Sequence, residues 1–493
     1  MALMDTPMAT PPATAPPCLP RIIQGGMGVG ISHWRLAREV ARLGHLGVVS
    51  GTALDLVLAR RLQQGDPEGT MRRAMARFPI PEIARQAEER YFSPEGLRNG
   101  DAYRAVPMPR IDLSRDHLQL IVLANFVEVS LAKEGHGGTV GINFLEKIQI
   151  PTLAAIYGAM LAGADYICMG AGIPNHIPGV IDKLALGEAV SLKVDVAGGR
   201  DIPGDEAERT LFFDPREFWQ GQGEPPKLKR PEFLAIVSSF TLALSLARKA
   251  TGRITGFVVE GSRAGGHNAP PRGPMKLTER GEPVYGERDA PDLERFRDLG
   301  YPFWLAGSYG APGKLAEALA EGATGIQVGT PFAFCEESGM DAGVKRRVLE
   351  KVRHGSLEVY TDPQASPTGF PFKVVALEGT AFFPGIGWPE RRVCDVGVLR
   401  HIYARPDGTV GYRCPSEAVD DYVRKGGLEA ETRGKKCLCN GLLAAAGLGR
   451  RDAAGLAEPP LVTAGDSLVD LGRFLPAEGV SYSASSVLEA LLR

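Results

Sequence analysis

The sequence predicts an α/β fold, a closed (β/α)8 barrel with insertions at its mouth and a C-terminal extension. Three observations predict it. From Arg21 to about residue 335, short apolar runs alternate with amphipathic helical patterns, as repeated βα units on a parallel sheet require. The strand candidates number eight with no reversal signal between them, which favours closure over an open sheet. Glycine is abundant, 61 of 493 residues, and many glycines directly follow apolar runs, where α/β enzymes place ligand-binding loops.

In chain order the strand candidates are RIIQGGM, HLGVVSG, TVGINF, DYICMGAG, EFLAIVSS, GFVVEGS, PFWLAGS and GIQVGTP. Between them WRLAREVARLG, TLAAIYGAMLAGA, FTLALSLARKATG and KLAEALAEGA carry apolar residues at three- and four-residue spacing and end near glycine, so each reads as a helix. The Arg-, Glu- and Pro-bearing stretch 55–115 predicts a helical insertion near the barrel mouth, and 198–230 predicts a long loop. The expected division is a disordered arm over 1–20, rich in Pro, Ala and Thr, a barrel over 21–389, and an extension over 390–493. Within the extension, HIYARPDGTVGYRC reads as a hairpin turning at Pro406-Asp407-Gly408, followed by a cysteine-containing segment and a terminal helix.

Composition narrows the partners. A hydrophobic share of 44% and a charged share of 23% are those of a globular protein, and a net charge of −2 gives no field toward nucleic acid or lipid. No apolar run reaches the length of a membrane span, and the N-terminus lacks the pattern of a secretory signal. Seven cysteines are too few to staple a chain this long, so a reducing cytoplasm is the expected compartment. A small-molecule substrate is expected, without nucleic-acid or membrane partners; a homo-oligomer is compatible with this reading.

The chemistry concentrates in three places. At the last two strands, FWLAGSYGAPGKLAEALAEGA and GIQVGTPFA each run from strand into a glycine turn. The loops after strands seven and eight of such barrels are a habitual phosphate site, and backbone N–H groups in tight turns cradle a dianion without Lys or Arg. Gly307, Ser308, Gly329 and Thr330 are therefore assigned to a phosphate; either turn alone would read as a simple βα connection. In VVEGSRAGGHNAPPRG, the glycines preceding His267 present that histidine at the rim, where it can hydrogen-bond a substrate or exchange a proton. In IIQGGMGVGIS, Gly25 and Gly26 remove side chains where a flat ring can approach the backbone, and the spacing is not that of a dinucleotide fingerprint.

Taken in order, IIQGGMG, VGIN, EGSRAGGHN, the AGS turn and GIQVGTPF resemble the nitronate monooxygenase (2-nitropropane dioxygenase-like) family, which also includes FMN-dependent enoyl-acyl-carrier-protein reductases and quinone reductases. The resemblance covers about residues 21–340 and implies an FMN-containing TIM barrel. It implies that Gln24, Gly25, Gly26 and Met27 lie along the isoalloxazine ring, that Asn143 bonds it, and that Gly265 and Gly266 join the phosphate cradle. His267 matches the histidine such enzymes place beside flavin and substrate. The chain departs from the family pattern at Arg263, where a Glu is usual, at Ser308, where a second glycine is usual, and at Ala269-Pro270. The implied activity is oxidation of alkyl nitronates with O2; the alternatives are an NAD(P)H-driven enoyl-thioester or quinone reductase and a non-catalytic flavin-binding sensor or scaffold. An inosine-monophosphate-dehydrogenase-like barrel would need a loop cysteine that the interval between Cys168 and Cys335 does not contain.

Cys394, Cys414, Cys437 and Cys439 have the number of thiols a zinc or iron–sulfur site takes. The Cys-x-Cys of KKCLCNG is tighter than the usual spacing, so the expectation is free or packed thiols and no metal. Cys335 reads as a core residue, and SPTGFPFKVV reads equally as apolar packing or as cover for the site.

Overall fold

Runs of consecutive apolar residues need burial on both faces, and the eight runs obtain it by closing into a barrel. In this computed structural model, which describes residues 19–98, 101–197, 209–382, 392–451 and 455–493, each predicted run forms a strand. They are β1 (Ile22–Gln24), β2 (Leu46–Ser50), β3 (Val140–Leu145), β4 (Tyr166–Gly170), β5 (Glu232–Val237), β6 (Gly256–Glu260), β7 (Phe303–Ala306) and β8 (Gly325–Val328). Every neighbouring pair is parallel, and β8 closes on β1 through Ile22 opposite Ile326. Inward residues form one core, with Ile23, Val48, Cys168, Leu234, Val258 and Trp304 among its members. Outward residues such as Ile142, Phe233, Phe257 and Ile326 belong to the larger core shared with the helices.

The four predicted helices are present as Trp34–Arg42, Thr152–Leu161, Phe240–Lys249 and Lys314–Ala320. Between β2 and β3 the insertion is helical: Leu54–Gln63, Thr70–Met75 and Pro81–Tyr91 precede Arg115–Ala132. The last of these packs on Thr152–Leu161. A buried hydrogen bond of 2.9 Å from His117 to Asp55 ties it to the first inserted helix.

Two expectations are corrected. The arm expected over 1–20 does not include its last residues: Leu19 packs on the inner barrel core, and the Pro20 carbonyl accepts from the Trp304 indole at 2.6 Å. Residues 1–18 lie outside the described residues. The stretch 198–230 is not all loop. Its first part, 198–208, lies outside the described residues, but Thr210–Phe213 pairs antiparallel with Val190–Lys193, and Pro215–Phe218 is helical. Strand alternation explains it, since Val190, Leu192, Leu211 and Phe213 bury while Ser191 and Phe212 face out. The Trp219 indole then donates to the Tyr157 hydroxyl at 2.8 Å.

After β8 come Ala342–Arg353, a hairpin of Val359–Asp362 with Phe372–Val375, and the predicted hairpin of His401–Ala404 with Val410–Arg413. The boundary expected at 389/390 falls outside the described residues. The terminal helix Ala484–Leu491 returns to pack on Trp34–Arg42. No helix among the described residues is long and apolar enough to cross a membrane.

Candidate cofactor-binding and catalytic site

Loops at the carboxyl ends of the strands surround a cavity of about 590 Å³, within the size range of small-molecule sites. Of the residues singled out in the sequence, Gly25, Gly26, Met27, Asn143, Gly265, Gly266, His267, Gly307, Ser308, Gly329 and Thr330 all line it.

Gln24 does not. Fully buried, it spends its amide on the protein: Nε2 donates to the Gly25 carbonyl (2.5 Å) and to Ser32 Oγ (2.9 Å), and Oε1 accepts from the Val48 N–H (3.0 Å). The placement of Gln24 along a flavin ring is thus corrected to a brace behind the β1 loop. Ser32 completes the brace, donating to the Gly25 carbonyl and accepting from the Met27 N–H, each at 2.9 Å. In front of it, a Cβ on Gly26 would run into the Cβ of Asn143. Asn143 Nδ2 donates to the Gly26 carbonyl at 3.2 Å, while its Oδ1 is buried without a partner. Thr52 Oγ1 and Asn268 Oδ1 are likewise buried and unpartnered, and both residues line the cavity. Unpaired buried polar atoms are costly, so two amide oxygens that accept and one hydroxyl that can accept or donate, all around one cavity, point to a polar ligand.

The β7 and β8 loops carry the second feature. Gly307 has φ +90° and Ser308 has φ +70°, a left-handed conformation that costs a serine energy. This turns the backbone N–H groups of Gly307 and Ser308 out of the sheet ladder. Among the described residues these two, and that of Gly329, meet no protein acceptor. Thr330 contributes differently, since its Oγ1 accepts from the Gly465 N–H at 2.9 Å.

Both glycines of the Gly265-Gly266 pair line the cavity, and one of their two N–H groups is used within the protein. The Gly266 N–H, expected in the phosphate cradle, donates to Thr463 Oγ1 at 2.9 Å. A Cβ on Gly265 would lie 2.8 Å from the Ala464 carbonyl carbon and the Gly465 nitrogen. The glycines let the C-terminal segment, expected as an extension of the barrel, lie directly on the β6 loop. Thr463, Gly465 and Ser467 thereby become part of the cavity wall. Nothing local to LVTAGDS announces this.

His267 faces the cavity and is enclosed on its other sides. Its ring meets Phe372 edge-on at 4.8 Å, and Nε2 is 2.7 Å from the hydroxyl of Ser366, which is itself 2.7 Å from the Thr368 hydroxyl. Burial pulls its pKa down to about 4, so the imidazole is neutral at neutral pH. The segment SPTGFPFKVV is therefore cover as well as packing, since Phe370 and Phe372 line the cavity. Glu260, at the end of β6, also lines it, and burial raises its carboxyl to about 7. Lys147 and Arg263 place positive charge on the wall. Cys335 is a packed core thiol bonded to the Phe332 carbonyl.

No protein-family model and no curated protein matches the sequence. Among solved structures, the chain is similar to FabK from Thermotoga maritima, at 14% identity and a TM-score of 0.46 over 96% of this chain and 91% of that one. It is similar to nitroalkane oxidase from Streptomyces ansochromogenes at 13% identity and 0.45, over 96% and 94%. The enoyl reductase domain of MlnA from the macrolactin biosynthesis cluster of Bacillus amyloliquefaciens gives 11% and 0.45, over 96% and 92%.

Proposed function

We propose that the protein is an FMN-dependent oxidoreductase that oxidises alkyl nitronates with O2. The observation that carries the reading is the facing arrangement in one cavity of a side-chain-free strip, Gly25-Gly26, unpartnered buried oxygens, and unpaired N–H groups on the β7 and β8 loops. These residues fit the cofactor. The strip admits a flat ring, the Asn143 and Thr52 oxygens hydrogen-bond its polar edge, and the N–H groups of Gly307, Ser308 and Gly329 suit a phosphate.

Bound FMN would supply the electron-transfer chemistry; the chain supplies position and charge. A nitronate arrives already deprotonated, so the site needs no strong base. A neutral His267, held by Ser366, serves as a hydrogen-bonding partner for the nitro oxygens. Lys147 and Arg263 favour an anion electrostatically, and the apolar walls of Phe370 and Phe372 keep water from the reacting face. A reductase acting on an unsaturated thioester needs a proton donor beside its substrate, and an imidazole with a pKa near 4 is poorly suited to donate one at neutral pH. Glu260, which lines the same cavity with its carboxyl raised to about 7, can donate one, so a reductase stands as the second reading, and the anaerobic spectrum separates the two.

The test is the anaerobic visible spectrum of the purified protein with propyl-2-nitronate and, separately, with NADH and NADPH. The expected result is bound flavin bleached by the nitronate and untouched by the nucleotides. Bleaching by NADH or NADPH alone replaces the reading with a reductase. Bound flavin that no donor reduces makes the protein a sensor or scaffold, and failure to bind FMN after reconstitution removes the flavin altogether.

A further inference from the structure

Outside the main cavity, the fold gathers thiols that are far apart in sequence. Cys414 directly follows the strand Val410–Arg413, Cys437 caps the helix Leu438–Ala445, Cys439 lies in its first turn, and Cys394 comes from the segment before the hairpin. All four line one small cavity, together with Arg400 and Asn440. Each of the four lies within electrostatic reach of the other three. None is in a disulfide. A buried cysteine packs as a small hydrophobe anywhere in a core, yet four of the chain's seven converge on a single hole, and it is this gathering that packing alone leaves without a reason.

The surroundings match what thiolate ligands need. Arg392 lies in the field of Cys437 and Cys414, Arg400 in that of Cys394, and Lys435 in that of Cys414. Two acids are nearby, and both are already partnered: Glu417 with Lys425 at 2.7 Å, and Asp395 with Arg60 at 3.8 Å and the Asn440 amide at 2.7 Å. Arg392 Nε is buried with no partner, and a thiolate or sulfide is an acceptor for it. Among the described residues no three His, Cys, Asp or Glu side chains close around a point as a single metal ion demands. Cluster sulfurs stand farther apart than the ligands of one ion, and four cysteines are the usual ligand set of a cluster.

We propose that Cys394, Cys414, Cys437 and Cys439 hold an iron–sulfur cluster of the [4Fe–4S] class. Cys439 lines both this cavity and the main one, so the cluster would stand behind the wall of the candidate active site. The tight Cys-x-Cys spacing, which argues against a metal when read alone, supplies half of a set that the hairpin completes.

The proposal does not depend on flavin binding, because its test reads iron and sulfide. Protein purified without oxygen is assayed for both, and its electron paramagnetic resonance spectrum is recorded after reduction with dithionite. The expected result is about four iron and four acid-labile sulfide per chain, with a reduced-cluster signal. Cys437→Ser and Cys394→Ser should lower iron content at least several-fold while the circular dichroism of the barrel is kept. Should both variants fail to fold, reconstitution of metal-free wild-type chain with ferrous iron and sulfide decides the matter, with uptake of about four iron expected. One zinc per chain without sulfide overturns the proposal. So does iron undiminished in both folded variants, or no iron taken up after reconstitution.

Discussion

An imidazole enclosed by Phe372 and Phe370 and hydrogen-bonded through Nε2 to Ser366 loses more solvation than it regains on taking a proton, and its pKa falls to about 4. An unfolded histidine would take that proton near pH 6.5, so the unfolded chain binds it first on acidification. The stability contribution of a neutral His267 is therefore complete above pH 6.5 and lost as pH falls toward 4, with an upper bound of about 3 kcal/mol. For catalysis this predicts a kcat/KM profile with no acidic limb near pH 6.5; a limb there that vanishes in His267→Asn would refute the neutral-imidazole role. Glu260 runs the other way. Burial raises its pKa to about 7, so the folded chain keeps a proton that the unfolded one releases near 4.5. Stability is lost as pH rises through this window, and Glu260→Gln should stabilise the protein by on the order of 1–3 kcal/mol at pH 8 and negligibly at pH 4. Thermal melts of both proteins at the two pH values check it. At Gly26 the effect is steric: a methyl would displace Asn143, whose amide holds the Gly26 carbonyl. Gly26→Ala is expected to weaken FMN binding at least tenfold, read by fluorescence titration, with the far-ultraviolet circular dichroism of the barrel unchanged.

The strands and their helices were legible because the signals that make them are local. IIQ, LGVVS and GFVVE are apolar on successive residues and are buried on both faces of the barrel wall, while WRLAREVAR shows a helical stripe that buries Leu36, Ala37 and Val40. Close helix packing is less visible, because a single glycine carries it. Gly158, inside Thr152–Leu161, lies so near the Val122 carbonyl of Arg115–Ala132 that a Cβ there would overlap it. Isolated glycine in a helix otherwise costs about 1 kcal/mol against alanine. Here the close approach reverses the balance: Gly158→Ala should destabilise by about 3 kcal/mol by forcing the helices apart. Urea unfolding measures it, and unchanged or raised stability would mean that the helices are not seated as described.

At the scale of the molecule, the site is closed by segments that no local pattern could pair with it. His267 meets Ser366 across 99 residues and Gly266 meets Thr463 across 197, so the sequence marks the glycines and the histidine but not the groups that complete them. The same distance explains why the motif at Gly266 does not announce the Thr463 hydroxyl that its N–H meets. What clamps the C-terminal segment there is partly ionic. Lys373, on the strand that pairs with the His267 loop, is almost fully buried, and its Nζ reaches Asp466 Oδ1 at 2.6 Å and Thr361 Oγ1 at 2.8 Å. The Asp466 N–H in turn donates to the Arg263 carbonyl at 3.1 Å, which places Thr463 and Gly465 against the β6 and β8 loops. Removing the carboxylate leaves a buried ammonium with one hydroxyl for company, a loss that for a fully enclosed pair costs about 3–5 kcal/mol. Asp466 is partly exposed and water can take its place, so Asp466→Ala is expected to cost about 2 kcal/mol. If the clamp shapes the cavity, the same substitution weakens FMN retention, and Lys373→Met with Asp466→Ala together recovers stability because no charge is stranded. Denaturation of the two variants, with flavin content measured alongside, separates the outcomes: equal losses in the single and double variants would show that the ion pair holds nothing, and the C-terminal segment closes the barrel by packing alone.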